Sequence, residues 1–256
     1  MPKSSSDRRH FIIAGVLIVI STILLNWLLN VALPLPTQAS AEARIIDRLI
    51  GQHLLIIAFL FSLVVVFMLY AIFVFRKREG DESEGDHFEG NTTLEIAWTV
   101  LPLILVVIFG YIGIVDLRDV THAEDNELVV KVKAFQWDWT FEYDGGVISQ
   151  ELLLPVGQRA RMEMTSNDVN HSFWVTEFRV KQDLVPGHTT VVRFTPIEIG
   201  DYQLRCAELC GLSHYKMLRG VKVVPADEFT AWLQTEQAKI TENSAVADAP
   251  ASKSSE

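Results

Sequence analysis

The segment from Cys206 to Met217 holds the densest set of potential metal ligands. It contains two thiols, one imidazole and one thioether, at Cys206, Cys210, His214 and Met217. Thiolate and thioether sulfur are soft ligands that select copper, and imidazole suits copper equally well. A blue-copper site uses one Cys, two His and a weak axial Met. The segment therefore predicts a copper site of the electron-transfer kind that lacks only its second His.

His171 is the best candidate for the missing imidazole, within residues 168–173 (Asp-Val-Asn-His-Ser-Phe). The second Cys is the informative departure from a mononuclear site, because two thiolates on one short loop could bridge two coppers. A Cys-x3-Cys pair outside the cytosol could instead form a disulfide. A disulfide does not call for His171, His214 and Met217, so their joint spacing favours the metal site.

The ligand loop, the upstream Asp-Val-x-His-Ser-Phe and the interval between them resemble the dinuclear CuA domain of cytochrome c oxidase subunit II. The resemblance extends over roughly residues 44 to 234 and covers most of the chain. It implies a copper pair with bridging thiolates from Cys206 and Cys210, imidazoles from His171 and His214, and weak ligands from Met217 and the Glu208 carbonyl.

Two carboxylates gain a role only from the resemblance. The family residue that matches Glu208 binds Mg or Mn at the interface with catalytic subunit I, whereas the residues alone favour a solvated loop Glu. Glu95 lies at the cytoplasmic edge of an apolar run, where a carboxylate is a functional candidate by default. A helix N-terminus would also favour it without any function. Residues 91–102 resemble the second helix of subunit II, where the matching Glu stands at the entrance of the K proton pathway.

Trp137 matches the family Trp that receives electrons from the donor. It also has the parity of Trp139, Phe141 and Tyr143, so alternation alone predicts a core position for it. Residues 134–138 depart from the commoner family form, which has Gly-His before Gln and Tyr between the two Trp.

Four acids near this stretch could form a collar that attracts a basic cytochrome c, and such steering should fade with salt. Asp168 could serve either in this collar or as a support for the His171 imidazole. The four acids are Asp138, Glu142, Asp144 and Asp168.

Composition combines a net charge of −10 with 49% hydrophobic residues, so apolar segments coexist with an acidic soluble part. Nothing resembles a basic stripe, which argues against nucleic acid as a partner. The chain has no Cys-x-x-Cys-His and so encodes no covalently attached c-type haem.

Three apolar runs are each long enough to span a bilayer, at 11–33, 52–75 and about 93–115, and the first two contain no charged residue. Basic residues before the first run and Ala39-Ser40-Ala41 after it also resemble a cleavable signal peptide, so retention of the first helix stays open. The basic cluster at 76–78 predicts a cytoplasmic loop, because cytoplasmic loops carry an excess of Lys and Arg. Everything after Leu117 would then lie outside.

From Glu127 the apolar residues alternate in short runs separated by turns, which predicts a Greek-key β-sandwich. The resemblance implies a cupredoxin-like barrel with the ligand loop between its last two strands. A short amphipathic helix is predicted over Asp227–Ile240, and disorder from about Thr241. The predicted strands cover 128–133, 137–143, 159–164, 189–194, 202–206 and 221–224.

The predicted architecture is a membrane-anchored α+β chain, in which a transmembrane helical hairpin precedes an all-β cupredoxin-like domain. Residues 1–43 form an N-terminal apolar helix or signal segment and 44–117 the hairpin. The CuA domain covers 118–226, and a short helix with a disordered tail covers 227–256.

The leading functional prediction is the subunit through which electrons enter a cytochrome c oxidase in the bacterial plasma membrane. The soluble domain would face the periplasm and take electrons from cytochrome c or another periplasmic donor. Its other predicted partners are oxidase subunits I and III and membrane lipid. Haem in subunit I would then receive the electrons, and oxygen reduction coupled to proton translocation would occur there. A membrane-tethered copper chaperone or another cupredoxin electron carrier is the alternative. The chaperone does not explain His171, Met217 and Glu95 together.

Overall fold

The computed structural model describes residues 5–80, 82 and 89–247, which form two compact units. One unit comprises the residues up to Leu35 together with Asp47–Val115. The other comprises Pro36–Ile46 together with the residues from Asp116 onward. This division differs from the predicted boundary near residue 44, because Pro36–Ile46 groups with the residues of the β-sandwich.

Three helices are long and apolar enough to cross a membrane: α1 (Ser5–Ala32), α2 (Ala41–Val74) and α3 (Thr92–Thr121). Two of them begin at a capping side chain. The Ala43 N–H donates to Ser40 Oγ over 3.0 Å, and the Leu94 N–H donates to Asn91 Oδ1 over 3.1 Å. Such caps satisfy backbone donors that a helix N-terminus leaves unpaired. All three predicted apolar helices are therefore confirmed.

The sandwich consists of two five-stranded sheets, in the orders β3-β2-β1-β5-β8 and β4-β10-β9-β6-β7. The pairs β1–β5 and β4–β10 are parallel, and the remaining pairs are antiparallel. The predicted β-sandwich is confirmed. The strands are β1 (Leu128–Phe135), β2 (Asp138–Glu142), β3 (Ile148–Ser149), β4 (Leu152–Pro155), β5 (Ala160–Ser166), β6 (His171–Val175), β7 (Lys181–Leu184), β8 (Thr190–Phe194), β9 (Gly200–Cys206) and β10 (Leu218–Val224).

Large aromatic side chains fill the core of this unit. Trp139, Phe141, Phe173 and Phe194 are fully buried, and the Phe173 and Phe194 rings stack with centroids 6.1 Å apart. Strands pack this way because alternate side chains point to one face, so each strand contributes its odd or even set to the core.

The segment Pro36–Ile46 completes the sandwich unit. Ala39 is fully buried, its N–H donates to the Glu177 carbonyl over 3.0 Å, and its carbonyl accepts from the Ile197 N–H over 2.9 Å. The Ala41 N–H donates to the Thr195 carbonyl over 3.0 Å. These bonds give the segment the role of a short added strand.

The last helix, α4 (Ala226–Ala247), packs on the sandwich through Phe229 and Trp232, whose rings lie 6.1 and 5.0 Å from that of Tyr143. The helix runs beyond its predicted end at Ile240, so the disorder predicted from Thr241 was wrong as far as Ala247. An ion pair of Lys239 with Glu236 at 2.7 Å lies within the predicted part of the helix. The rest of the predicted tail, 248–256, lies outside the described residues.

Candidate metal centre

The side chains with sulfur or imidazole ligand atoms meet at one end of the second sheet. His171 opens β6, Cys206 closes β9 and Met217 directly precedes β10. Cys210 and His214 lie in the loop between β9 and β10. Because β6, β9 and β10 are hydrogen-bonded neighbours, backbone ladders fix three of the five positions.

The two thiols lie side by side, and each has its own imidazole. The sulfur atoms of Cys206 and Cys210 are 3.8 Å apart, whereas a disulfide bond measures about 2.05 Å, so both cysteines are free. His171 Nδ1 lies 3.7 Å from Cys206 Sγ, and His214 Nδ1 lies 3.6 Å from Cys210 Sγ. The ligand atoms of His171, Cys206 and Cys210 all lie within 4.8 Å of one another. This group could hold a metal.

A weaker donor atom accompanies each sulfur. The backbone carbonyl oxygen of Glu208 lies 3.2 Å from Cys206 Sγ, and Met217 Sδ lies 3.7 Å from Cys210 Sγ. Both cysteines and Met217 are buried, which keeps water away from the sulfur atoms. A buried set of soft sulfur and imidazole donors fits copper, and a hard ion such as Mg²⁺ would require oxygen ligands instead.

The buried surroundings favour the neutral, protonated form of the thiols. Burial raises the pKa of the Cys210 thiol to about 12, and the neighbouring Cys206 sulfur contributes to the same shift. Two adjacent thiolates would repel each other without a cation between them. A metal ion therefore has to displace protons when it binds, and its charge then stabilises both thiolates.

Asp168 orients the His171 imidazole. Its carboxylate Oδ1 lies 2.9 Å from His171 Nε2, so Nε2 carries the proton and Nδ1 presents its lone pair toward Cys206. Burial alone would raise the pKa of Asp168, but hydrogen bonds from His171 and from the backbone N–H groups of Gln136 and Val169 outweigh it, and the pKa falls below its ordinary value. Asp168 therefore supports the His171 imidazole.

The turn between β1 and β2 lies against the ligand loop. Gln136 donates from Nε2 to the Cys210 carbonyl over 2.6 Å and from its backbone N–H to Asp168 over 2.6 Å. A methyl group at Gly211, whose φ is +124°, would lie 2.9 Å from Gln136 Nε2 and 3.4 Å from Trp137 Nε1. Sequence reasoning missed Gln136 and Gly211, although both adjoin residues that it did single out.

Trp137 lies at the surface, with 38% of its area exposed, so the core position suggested by its parity was wrong. The alternation is reset because β1 ends at Phe135 and β2 begins at Asp138, which leaves Trp137 in the turn. Trp139 and Phe141 are fully buried, as the alternation predicts.

Two of the four acids in the predicted acidic collar pair with cationic side chains. Asp138 pairs with Arg219, whereas Asp168 accepts a hydrogen bond from the neutral His171 imidazole and keeps its negative charge. Glu142 lies 3.0 Å from the Lys131 ammonium and 3.4 Å from that of Lys133, and these hydrogen bonds lower its pKa. Among the described residues, Asp144 has no basic partner, so Asp144 and Asp168 both keep a negative charge and the acidic collar stays a prediction.

The two remaining predicted site residues are both exposed. Glu208 belongs to the ligand loop and exposes its side chain. Glu95 lies in the first turn of α3, in the unit that does not contain the metal ligands, and its N–H donates to the Asn91 carbonyl over 2.9 Å.

Comparison with known proteins gives matches over most of the chain. The family model described as "Cytochrome C oxidase subunit II, periplasmic domain" matches residues 145–224, and "Cytochrome C oxidase subunit II, transmembrane domain" matches residues 26–114. The crystal structure of the periplasmic domain of cytochrome oxidase subunit II from Bradyrhizobium japonicum is 28% identical. It covers 46% of this chain and 99% of its own, with a TM-score of 0.43.

Three curated relatives carry the name cytochrome c oxidase subunit 2. The protein from Thermostichus vulcanus is 31% identical over 87% of this chain and 84% of its own length. The protein from Synechocystis is 30% identical over 83% of this chain and 78% of its own length. The protein from Alkalihalophilus pseudofirmus is 35% identical over 70% of this chain, which spans only 55% of that relative. This membrane protein therefore belongs to the cytochrome c oxidase subunit II family, which binds copper and through which electrons enter a haem-copper oxidase.

Proposed function

We propose that this chain accepts electrons at a dinuclear copper centre held between β6, β9 and β10. The symmetry of the donor set carries the proposal: two thiols 3.8 Å apart, each with one imidazole nitrogen and one weak donor beside it. A mononuclear site would use only one of the thiols. The residues that would hold the pair are His171, Cys206, Cys210, His214 and Met217, with the Glu208 carbonyl.

A copper pair supplies a one-electron relay when it is bound. The residues of the chain hold its ligands on rigid strands, so that little rearrangement accompanies electron transfer. Buried Cys206, Cys210 and Met217 exclude water, and Asp168 keeps the His171 imidazole in one orientation. These features serve electron relay and not the binding of a substrate.

Trp137 is the residue through which electrons would reach the centre. Its indole is partly exposed and lies directly against Gly211, the residue after Cys210. Electrons would leave for haem in subunit I, where oxygen is reduced and protons are translocated. The donor would be cytochrome c or another periplasmic carrier, and subunit III and lipid would complete the surroundings.

Two exposed carboxylates would serve at the contact with other subunits and at the membrane edge. Glu208 would bind Mg or Mn together with ligands from subunit I, since a carboxylate suits a hard cation. Glu95 would stand at the entrance of a proton pathway. The basic residues at 76–78 support a cytoplasmic end for α2, which would put the sandwich on the periplasmic side of the bacterial plasma membrane.

Burial of the sulfur atoms argues against the alternative, a copper chaperone. A chaperone must present its thiols to a partner in order to hand over its metal, whereas Cys210 is only 3% exposed. The backbone ladders that fix His171 and Cys206 also suit permanent retention of the metal.

The experiment that tests the proposal is the Cys210→Ser substitution in the full chain, with Ser213→Ala in the same loop as the control. We expect Cys210→Ser to abolish the copper pair or convert it to a mononuclear site, because one bridging sulfur is lost. Ser213→Ala should keep the copper content and the spectrum of the parent chain. An unchanged copper spectrum and electron-transfer rate in Cys210→Ser would overturn the bridging role.

A further inference from the structure

Two apolar grooves lie between the first two membrane helices and share the Tyr70 side chain. His10 of α1 and Tyr70 of α2 form a hydrogen bond of 2.7 Å between Nδ1 and the phenol oxygen, and the His10 ring lies 5.2 Å from that of Phe75. These three side chains line the smaller groove, which measures about 190 Å³. The larger groove, of about 630 Å³, lies between residues 17–28 of α1 and 66–74 of α2.

Basic residues gather at the end of the helix pair where His10 meets Phe75. Arg9 precedes His10 and Arg76 follows Phe75, so the ring contact brings together two basic segments that are distant in sequence. Residues 7–10 and 75–80 contain five Arg or Lys residues and two acids. All five bases are exposed. This end of the helix pair therefore carries excess positive charge, although the net charge of the chain is −10.

The walls of the larger groove suit an acyl chain better than another protein helix. Membrane helices approach one another closely where small residues face each other. Ser21 is the only small side chain among the described residues that line this groove, and most of the others are Leu, Ile, Val or Phe. A flexible hydrocarbon chain can follow such an irregular apolar surface, so a lipid fits the groove.

We propose that α1 and α2 together bind one acidic phospholipid, with its phosphate among the basic residues and its acyl chains along the two grooves. Charge favours an acidic lipid over a zwitterionic one, because Lys and Arg at the membrane surface attract anionic headgroups, and basic pockets between membrane helices bind them. The site requires α1, so only a chain that retains this helix can form it. The inference goes beyond the proposed function and does not depend on the copper centre.

The test is a lipid titration of the delipidated full chain in detergent, followed by native mass spectrometry. The two ligands are phosphatidylglycerol and phosphatidylcholine with identical acyl chains. We expect the parent chain to bind phosphatidylglycerol at least about fivefold more tightly. Arg9→Gln and Arg76→Gln should each lower the affinity for phosphatidylglycerol about fivefold and leave that for phosphatidylcholine unchanged. Arg118→Gln, which removes a base from the last turn of α3, should change neither affinity.

A second pair of variants tests the larger groove. Ser21→Trp places a large side chain in the groove, so it should lower the affinity for both lipids about fourfold for each methylene group that it displaces. Ile23→Trp is the matched control, because Ile23 is 63% exposed and does not line the groove. It should keep both affinities of the parent chain.

Equal affinities of the parent chain for the two lipids would overturn the proposal without recourse to any variant. The parent preference retained in both Arg9→Gln and Arg76→Gln would also overturn it. The same substitutions are then made in the complete oxidase, where they should reduce the amount of copurified phosphatidylglycerol. An unchanged amount there would mean that another subunit covers the grooves, and the proposal would be wrong. A mature chain that lacks α1 would contradict it as well.

Discussion

Replacing Arg159 by Met should destabilise the sandwich unit strongly. The Arg159 side chain is 2% exposed and donates to Glu42, which is 3% exposed, over 2.7 Å. Its Nη2 also donates to the carbonyls of Val120 and His122, each at 2.8 Å. The substitution leaves the Glu42 carboxylate buried without its cation. Breaking a buried pair in this way costs about 3–5 kcal/mol.

Replacing both Arg159 and Glu42 tests their pairing more directly than either single substitution does. Glu42→Leu alone leaves Arg159 with only the more distant Glu127 carboxylate, 3.6 Å from its Nε, and should also cost about 3–5 kcal/mol. Combining Arg159→Met with Glu42→Leu removes both charges, so the double variant should be more stable than either single variant. Such non-additivity measures the coupling between residues in contact.

Denaturant unfolding of the full chain in mild detergent is the assay, followed by the near-ultraviolet signal of buried aromatic residues such as Trp139. The full chain is required because a fragment that starts after α3 would lack Glu42. Lys222→Met is the control, since its pair with Glu151 is exposed and 3.5 Å long and should contribute below about 1 kcal/mol. An Arg159→Met effect no larger than the control, or a double variant whose cost equals the sum of the singles, would refute the reasoning.

Three further predictions concern the site and the N-terminal segment. Gly211→Ala should weaken copper binding in a competition titration, because its φ of +124° disfavours any side chain and the added methyl group would displace the Gln136 amide, 2.9 Å away, from the Cys210 carbonyl. Gly220→Ala should keep the affinity of the parent chain, and equal affinities of the two variants would contradict this. Burial raises the pKa of Cys210 to about 12, so the metal-free site keeps that thiol protonated at neutral pH. Copper affinity should therefore rise with pH, and calorimetry in two buffers should show proton release. A pH-independent affinity would be inconsistent with buried thiols. Ala39 is part of the sandwich core, so mass spectrometry of the chain isolated from the membrane should find its N-terminus before Pro36. A chain that starts at Ser40 or Glu42 would contradict the role of Ala39 in the core.

Most of the features that could be predicted depend on patterns within a short stretch of the sequence. An apolar run long enough to span a bilayer is visible residue by residue, so the three helices followed directly from composition. Four of the ligand side chains lie within one loop, and the spacing of Cys206, Cys210, His214 and Met217 was informative without any knowledge of the fold. The strands β3, β4, β6 and β7 were missed because they are short or lack a clear alternation.

Contacts between distant parts of the chain could not be predicted. Arg159 and Glu42 are 117 residues apart, and nothing in either neighbourhood indicates a buried pair. The pairing of Glu142 with Lys131 depends on the register between β1 and β2, which the sequence does not reveal. The same register places one acid of the predicted collar, Glu142, beside two lysines.

For Asp168 and Trp137 the sequence allowed two positions each, and the structure favours one of them. The sequence allowed Asp168 a place in the collar or beside His171, and the 2.9 Å contact with His171 Nε2 favours the second. Trp137 had the parity of a core residue, but a turn lies between the two strands and leaves its indole exposed. A single residue in a turn is enough to reverse a prediction based on alternation.

Copper stoichiometry combined with electron paramagnetic resonance on the detergent-solubilised full chain tests the central claim most directly. The paired thiols, each with its own imidazole, predict two coppers per chain that share one unpaired electron equally. One copper with the hyperfine pattern of a single nucleus, or copper that a competing chelator removes readily, would contradict the dinuclear centre.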